Sequence, residues 1–247
     1  MLTESILQDN GKNWFRNVCL CNGLLIPDTH LWLLEQYVDL LEKWNSKVNL
    51  ISRREEHSIW LRHILGSIAF MFHRRFEVKT LIADVGTGGG FPGIPLAILF
   101  PDIELVLIDS IQKKINAVSD ILARLELKNA RAVIGRAEKL SLQVGFVHTF
   151  DYVVARAVAP ANQLIKWVKP LLKPSNQRVN PEIQAPHTAT VIARPSIVML
   201  KGGDLTREIA EAKHECQPRS VTVHQILIEG LNSSDALKDK KVVIFQI

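Results

Sequence analysis

Asp84, Gly86, Gly88, Gly89, Gly90 and Gly93 crowd into one short stretch, IADVGTGGGFPG, at residues 82–93. Glycine offers bare backbone for a ligand to lie against, so the stretch reads as a binding loop. Gly88-x-Gly90-x-x-Gly93 formally satisfies the dinucleotide fingerprint, a weak signal by itself, and no Gly-Lys-Ser/Thr follows, which excludes a P-loop. The acids around the loop carry more information. Asp84 stands two residues before Gly86, Asp109 stands 25 residues after Asp84, and Glu138 follows a third apolar run. A pyrophosphate would be repelled by an acid beside its loop. S-adenosyl-L-methionine carries an ammonium, a sulfonium and a ribose diol, all of which favour acidic neighbours. Asp109 suits the ribose hydroxyls, because a carboxylate accepts from both, while Asp84 either holds the loop or faces the methionine amine. Taken singly, each acid is also what a helix cap or a solvated turn would show. A nicotinamide oxidoreductase using Gly88, Gly90 and Gly93, and a non-catalytic cofactor-binding module, are the competing readings.

The elements that must position these residues alternate in type. TLIADV is a strand running into the loop, GIPLAILF a helix, IELVLID a strand ending at Asp109, and KKINAVSDILARLEL an amphipathic helix. RAVIG and YVVARAV read as strands, ANQLIKWVKPLL as a helix, SIVMLKG as a strand and TREIAEAKHE as a helix; SVTVHQILI and KKVVIFQI close the chain as an antiparallel pair. The pattern predicts an α/β fold with a doubly wound, mostly parallel sheet and an antiparallel C-terminal strand. Ligands of such sheets bind beyond the carboxyl ends of the strands, where the glycine loop, Asp109, the GRAE turn and ARAVAP all fall.

Residues 1–79 read as an N-terminal helical extension and 80–247 as the sheet domain. In PDTHLWLLEQYVDLLEKWN, Leu31, Leu34, Val38 and Leu41 recur at helical spacing, with Pro27 suited to the first turn, and EEHSIWLRHILGSIAFMF repeats the pattern. Residues 173–195, with prolines at 174, 181, 186 and 195, read as a long loop.

The chain has 247 residues, 47% of them apolar, and a formal net charge of +5. Between Arg156 and Lys201 stand seven Lys/Arg and a single acid, Glu182. Such an excess is either a basic surface that attracts a phosphate backbone or a solvated face. No run of about 18 apolar residues suggests a membrane span, and the N-terminus lacks a signal-peptide pattern. Three cysteines, Cys19, Cys21 and Cys216, form no disulfide scaffold, which points to a reduced, cytoplasmic protein. The histidines show no metal-ligand spacing, so no metal site is expected.

DVGTGGGFPGIPLAI resembles the first motif of the bacterial 16S rRNA guanine-N7 methyltransferases, historically called glucose-inhibited division protein B. WNSKVNLIS, IWLRHILGSI, LIDSIQKK, GRAE, FDYVVARAVAP and MLKGGDL follow that family's order over most of residues 40–205. The resemblance implies a class I methyltransferase (Rossmann-like) fold, S-adenosyl-L-methionine as cofactor, and methylation of one guanine in 16S rRNA, with the small ribosomal subunit as partner; a monomer without membrane or metal is the accompanying expectation. Carried over by position, Gly86, Phe91, Ala137, Glu138 and Arg156 become cofactor-binding residues, Lys201 falls on the substrate side, and Arg156 positions the substrate. The loop's own pattern adds Asp84, Gly88, Gly90 and Asp109 to the cofactor side, and Arg62 and His63 of the N-terminal helices are candidates for the substrate side. Two departures stand out: Gly66 replaces an aspartate usual in the family, and 173–195 looks like an insertion.

The alternative within the same cofactor class is a methyltransferase acting on another RNA, a protein or a small molecule; the remaining residues agree with attack at guanine N7. Methylating carbon 5 of a pyrimidine needs a cysteine nucleophile, and the three cysteines lie in helices away from the loop rim, where packing is their expected role. Methylating an exocyclic amine commonly uses an Asn/Asp-Pro-Pro-aromatic turn where this chain has ARAVAP. Guanine N7 is an exposed lone pair that needs no general base, only alignment. Arg156 could fork onto guanine O6 or hold a phosphate; otherwise it makes a buried salt bridge to Asp151 or Asp84. Arg62 and His63 could reach the RNA, although a histidine on an apolar helix face is more often packed core, and Phe91 packs on the cofactor or is plain core.

Overall fold

The computed structural model describes residues 11–175, 189–231 and 237–247. The chain begins with α1 (Lys12–Cys21) and α2 (Asp28–Asn45), then a 3-10 turn (Arg53–Ser58), a π-helix (Ile59–Leu65), the single turn α3 (Gly66–Ile68) and a second 3-10 turn (Ala69–Phe72). From there come β1 (Arg74–Arg75), β2 (Leu81–Val85), α4 (Gly93–Leu99), β3 (Glu104–Asp109), α5 (Gln112–Arg124), β4 (Ala130–Ile134), α6 (Ala137–Leu140), β5 (Tyr152–Arg156) and α7 (Ala161–Val168). The chain closes with β6 (Thr190–Val191), β7 (Ser196–Gly202), α8 (Thr206–Cys216), β8 (Ser220–Gln225) and β9 (Lys240–Gln246). Seven strands form one sheet in the order β4-β3-β2-β5-β7-β9-β8, parallel except that β9 runs antiparallel to both β7 and β8. This is the expected doubly wound class I methyltransferase sheet. The order turns back between β2 and β5, so the crevice beyond their carboxyl ends is the natural ligand position.

Period-two alternation separates two apolar layers. Ile82, Leu105, Leu107, Tyr152, Val154, Val198 and Leu200 face one core, which α1, α2, α4, α5 and the 53–72 turns complete. Ala83, Val106, Val153, Ala155, Ile197 and Met199 face the other, covered by α6, α7 and α8. On α2, Leu31, Leu34, Val38 and Leu41 are buried as expected, and Tyr37 joins them. Pro27 stands just before the first turn, as the N-cap residue, rather than within it. Trp44 donates to Asp120 of α5 at 2.8 Å, and Asn45 Oδ1 accepts the amides of Leu50 and Ile51 at 2.8 and 2.9 Å, so the WNSKVNLIS motif closes α2 and joins it to the sheet domain.

One expectation is corrected. The 53–72 segment is not one regular helix: it widens to π-helical over Ile59–Leu65 between 3-10 turns. π-Helical turns are rare and recur at functional sites, and here Arg156 donates to the Arg62 carbonyl within the turn at 3.0 Å. Of the seven cations between Arg156 and Lys201, four are ion-paired; Arg178 lies outside the described residues. Lys166 pairs with Glu215, Lys173 with Asp151, Arg194 with Asp151 and Glu77, and Lys201 with Glu208. Acids distant in sequence neutralise these four.

The central part of the 173–195 segment, residues 176–188, lies outside the described residues. Its ends return to the amino-terminal edge of the sheet. Asp151, just before β5, holds Lys173 at 2.9 Å and Arg194 at 3.2 Å, while β6 pairs with β1.

Candidate functional site

The glycine loop connects β2 to α4, and its geometry explains its composition. Gly86 has φ 72°, and a Cβ there would stand 2.5 Å from Val158 Cγ2. Gly93 opens α4 so close to the sheet that a Cβ would lie 2.6 Å from Asp84 Oδ2 and 2.8 Å from Leu107 Cγ. Asp84 is fully buried beneath the loop, its Oδ2 accepting from Thr87 Oγ1 at 2.6 Å and from the Gly93 amide at 2.9 Å. No hydrogen-bond partner reaches Oδ1 among the described residues. Burial raises the carboxyl pKa to about 7, against the two hydrogen bonds that favour the anion. Of the two roles open to Asp84, holding the loop is the one the geometry displays.

Asp109 ends β3 and binds the loop from the other side. Its Oδ2 accepts the Gly88 amide at 3.0 Å and its Oδ1 the Ile111 amide at 2.9 Å. Four more loop amides are engaged too: Gly86 and Thr87 donate to the Ile108 carbonyl, and Gly90 and Phe91 to that of Thr87. A phosphate cradle needs several free amides aimed at the anion, and here most are spent internally. A cleft of about 300 Å³ opens beside the loop, walled by Gly86, Asp109, Ala137, Glu138, Ala157 and Val158 among others. Gly88 and Gly90 stand behind this wall as loop formers, Gly90 with φ 102°.

Phe91 does not line that cleft. It is buried, with ring centroids 5.5 Å from Tyr37 and 5.0 Å from His63, and the Arg156 guanidinium carbon lies 5.8 Å from its centroid. Tyr37 donates from its hydroxyl to the Gly89 carbonyl at 2.8 Å, so α2 braces the loop. Arg156, at the end of β5, makes neither of the salt bridges considered from the sequence. Its Nη2 donates to the Arg62 carbonyl at 3.0 Å and to His63 Nδ1 at 3.3 Å, while its Nη1 reaches the His63 carbonyl at 3.5 Å and Ser67 Oγ at 3.4 Å. His63 is 6% exposed, so it packs rather than presents a face to solvent. Its Nε2 lies 3.3 Å from Glu55 Oε2 without hydrogen-bond alignment, and burial followed by the Arg156 charge pushes its pKa down to about 4.

A second cleft, of about 500 Å³, shares Ala157 with the first. Ala157 has φ 53°, a left-handed backbone at the junction of the two spaces. Arg62, Arg156, Lys201 and Lys240 line the second cleft together with Glu55, Glu208 and Gly66. Lys201 is committed, donating to the Ala159 carbonyl at 2.7 Å and to Glu208 Oε1 at 2.6 Å. Arg62 lies 3.8 Å from Glu55.

The family model GidB, described as rRNA small subunit methyltransferase G, matches residues 31–180. The ribosomal RNA small subunit methyltransferase G of Chlorobium luteolum is 36% identical over 220 residues, covering 87% of this chain and 82% of that one. This chain belongs to that family. The Flavobacterium psychrophilum member is 40% identical over 177 residues, covering 72% of this chain and 76% of its own length. A Corynebacterium glutamicum protein of known structure shares the fold at TM-score 0.50 and 12% identity, covering 85% of this chain and 89% of that one.

Within this methyltransferase G chain, the structure gathers Gly86, Asp109, Ala137 and Glu138 around one cleft, and Arg62, Arg156 and Lys201 around its neighbour. His63 and Phe91 form the packed partition behind Arg156. Reading the sequence missed Tyr37, Glu55, Ser67 and Lys240. Tyr37 lies on the same helical face as Leu34 and Leu41, which the periodicity marked, but its hydroxyl contact with Gly89 has no sequence signature. Cys21 is exposed, against the expectation of packing, whereas Cys19 is buried. Among the described residues no group of three or more His, Cys, Asp or Glu could hold a metal, and no helix is long and apolar enough to cross a membrane.

Proposed function

We propose that the chain transfers a methyl group from S-adenosyl-L-methionine to N7 of a guanine in 16S rRNA of the small ribosomal subunit. Membership of the methyltransferase G family carries this reading, and two clefts that meet at Ala157 support it. The residues suit the cofactor: acids flank the first cleft, and most of the loop amides are engaged within the protein rather than free for a pyrophosphate. Bound there, S-adenosyl-L-methionine supplies an electrophilic methyl on a sulfonium.

Asp109 accepts from the ribose hydroxyls with the lone pairs its two backbone amides leave free. Asp84 holds the loop rather than touching the ligand, and Ala137 and Glu138 flank the adenine. Arg156 stands at the junction, held by the Arg62 and His63 carbonyls, Ser67 Oγ and His63 Nδ1, which leaves its single Nε–H and its positive charge for guanine O6 or a phosphate. Alignment of N7 with the methyl carbon is the catalytic contribution. N7 carries no proton, so no side chain of this chain would need to act as a base, and the residues' part would be to align the guanine with the methyl group that the bound cofactor supplies. Arg62 and Lys201 shape the nucleotide cleft. The same reading has the protein act in the cytoplasm as a monomer, without metal or membrane.

The deciding experiment maps 7-methylguanosine by mass spectrometry in 16S rRNA from a deletion strain, before and after complementation. Restoration at one guanine is expected, and an unchanged methylation map would refute the reading. Arg156→Ala should bind the cofactor yet lose most transfer; normal transfer would remove its substrate role.

A further inference from the structure

Of the four cations that line the larger cleft, three are occupied. Arg156 donates to the Arg62 carbonyl and His63, Lys201 to Glu208 and the Ala159 carbonyl, and Arg62 lies against Glu55. The fourth is Lys240, the first residue of β9. It is exposed, and among the described residues no hydrogen bond or ion pair engages its ammonium. Its position is set by the sheet: Lys240 pairs with Gly202 of β7, and because Gly202 has no side chain, the lysine stem lies across it, 3.4 Å from where a Cβ would stand. The neighbouring Lys241 is spent on the Gly203 carbonyl at 2.6 Å.

We infer that Lys240 is an RNA-backbone contact of this methyltransferase: it takes the phosphodiester of a nucleotide next to the target guanine as that guanine enters the cleft. The inference rests on the proposed RNA substrate. An incoming phosphate needs a cation that is not already neutralised, and the apparent basic stretch of 156–201 provides few, since Lys166, Lys173, Arg194 and Lys201 are paired. An ammonium acts here as a point charge. The contact therefore contributes affinity that falls with salt and carries no base preference.

The test measures equilibrium binding of 16S rRNA across a salt series for wild type, Lys240→Ala, Lys240→Arg and Lys128→Ala. Lys128 is an exposed lysine just before β4, remote from both clefts, and serves as the charge control. Single-turnover methyl transfer and calorimetry with S-adenosyl-L-methionine run in parallel. Lys240→Ala should weaken RNA binding several-fold and reduce the slope of log affinity against log salt by about 1. Lys240→Arg should restore both, and cofactor affinity should be unchanged throughout. An unaltered salt slope in Lys240→Ala, or an equal change in Lys128→Ala, overturns the inference. If wild type binds RNA through Lys240 but transfers no methyl, the proposed reaction falls and the contact stands; if wild type binds no RNA, both fall.

Discussion

Gly86→Ala probes how the loop is built. Two separate costs meet at this residue. The backbone sits at φ 72°, and an L-residue in the left-handed region costs about 1–2 kcal/mol. The new methyl would also stand 2.5 Å from Val158 Cγ2, well inside contact distance. Relieving such overpacking costs about 1–3 kcal/mol, the more so because valine is stiff at χ1. The sum is roughly 2–5 kcal/mol, a fall in melting temperature of roughly 4–20 °C for a chain of this size. A double-mutant cycle separates the terms. Val158→Ala in the Gly86→Ala background should recover the steric part, about 1–3 kcal/mol, and leave the backbone part. Chemical denaturation measures both, with calorimetry reporting whether the cleft still takes the methyl donor. Strict additivity of the two single substitutions, or a Gly86→Ala protein as stable as wild type, would refute the packing account.

Other outcomes follow from the same geometry. Asp84, with its pKa raised to about 7, takes up protons on folding and so stabilises at low pH, an effect lost as pH rises from about 4 to about 7. His63, lowered to about 4, acts oppositely, its stability being present above about 6.5 and lost as pH falls toward 4. The two oppose each other in one window, so Asp84→Asn should make stability rise more steeply with pH there, as read by denaturation at each pH. Asp109→Ala strips the acceptors from the Gly88 and Ile111 amides; a loss of about 2–4 kcal/mol is expected, with a marked drop in cofactor affinity by calorimetry. Iodoacetamide should label exposed Cys21 well before buried Cys19, and Cys21→Ser should transfer methyl at the wild-type rate, because no thiol takes part in attack at N7.

The strands were legible because their side chains alternate between two cores, as Ile82 and Ala83 or Val153 and Val154 do. Asp109 and the glycines were legible because loop and acid recur at a spacing a parallel sheet imposes. The π-helix was not, since IWLRHIL has the apolar spacing of an ordinary helix, and its contact with Arg156 comes from a strand 93 residues later, which no local pattern shows. The neutralised charge between 156 and 201 was hidden for a similar reason: Glu77, Glu208 and Glu215 lie outside that window and meet it only after folding. Lys240 passed unnoticed within a charged run, KDKK, whose members differ only in what the fold sets beside them.

The glycine loop carries a thermodynamic consequence. With the amides of Gly86, Thr87, Gly88, Gly90, Phe91 and Gly93 partnered inside the protein, the receptor is assembled before any nucleoside arrives. Association then forfeits little conformational entropy, and the heat-capacity change on complex formation should match the apolar area covered, with no contribution from a coil ordering around its guest.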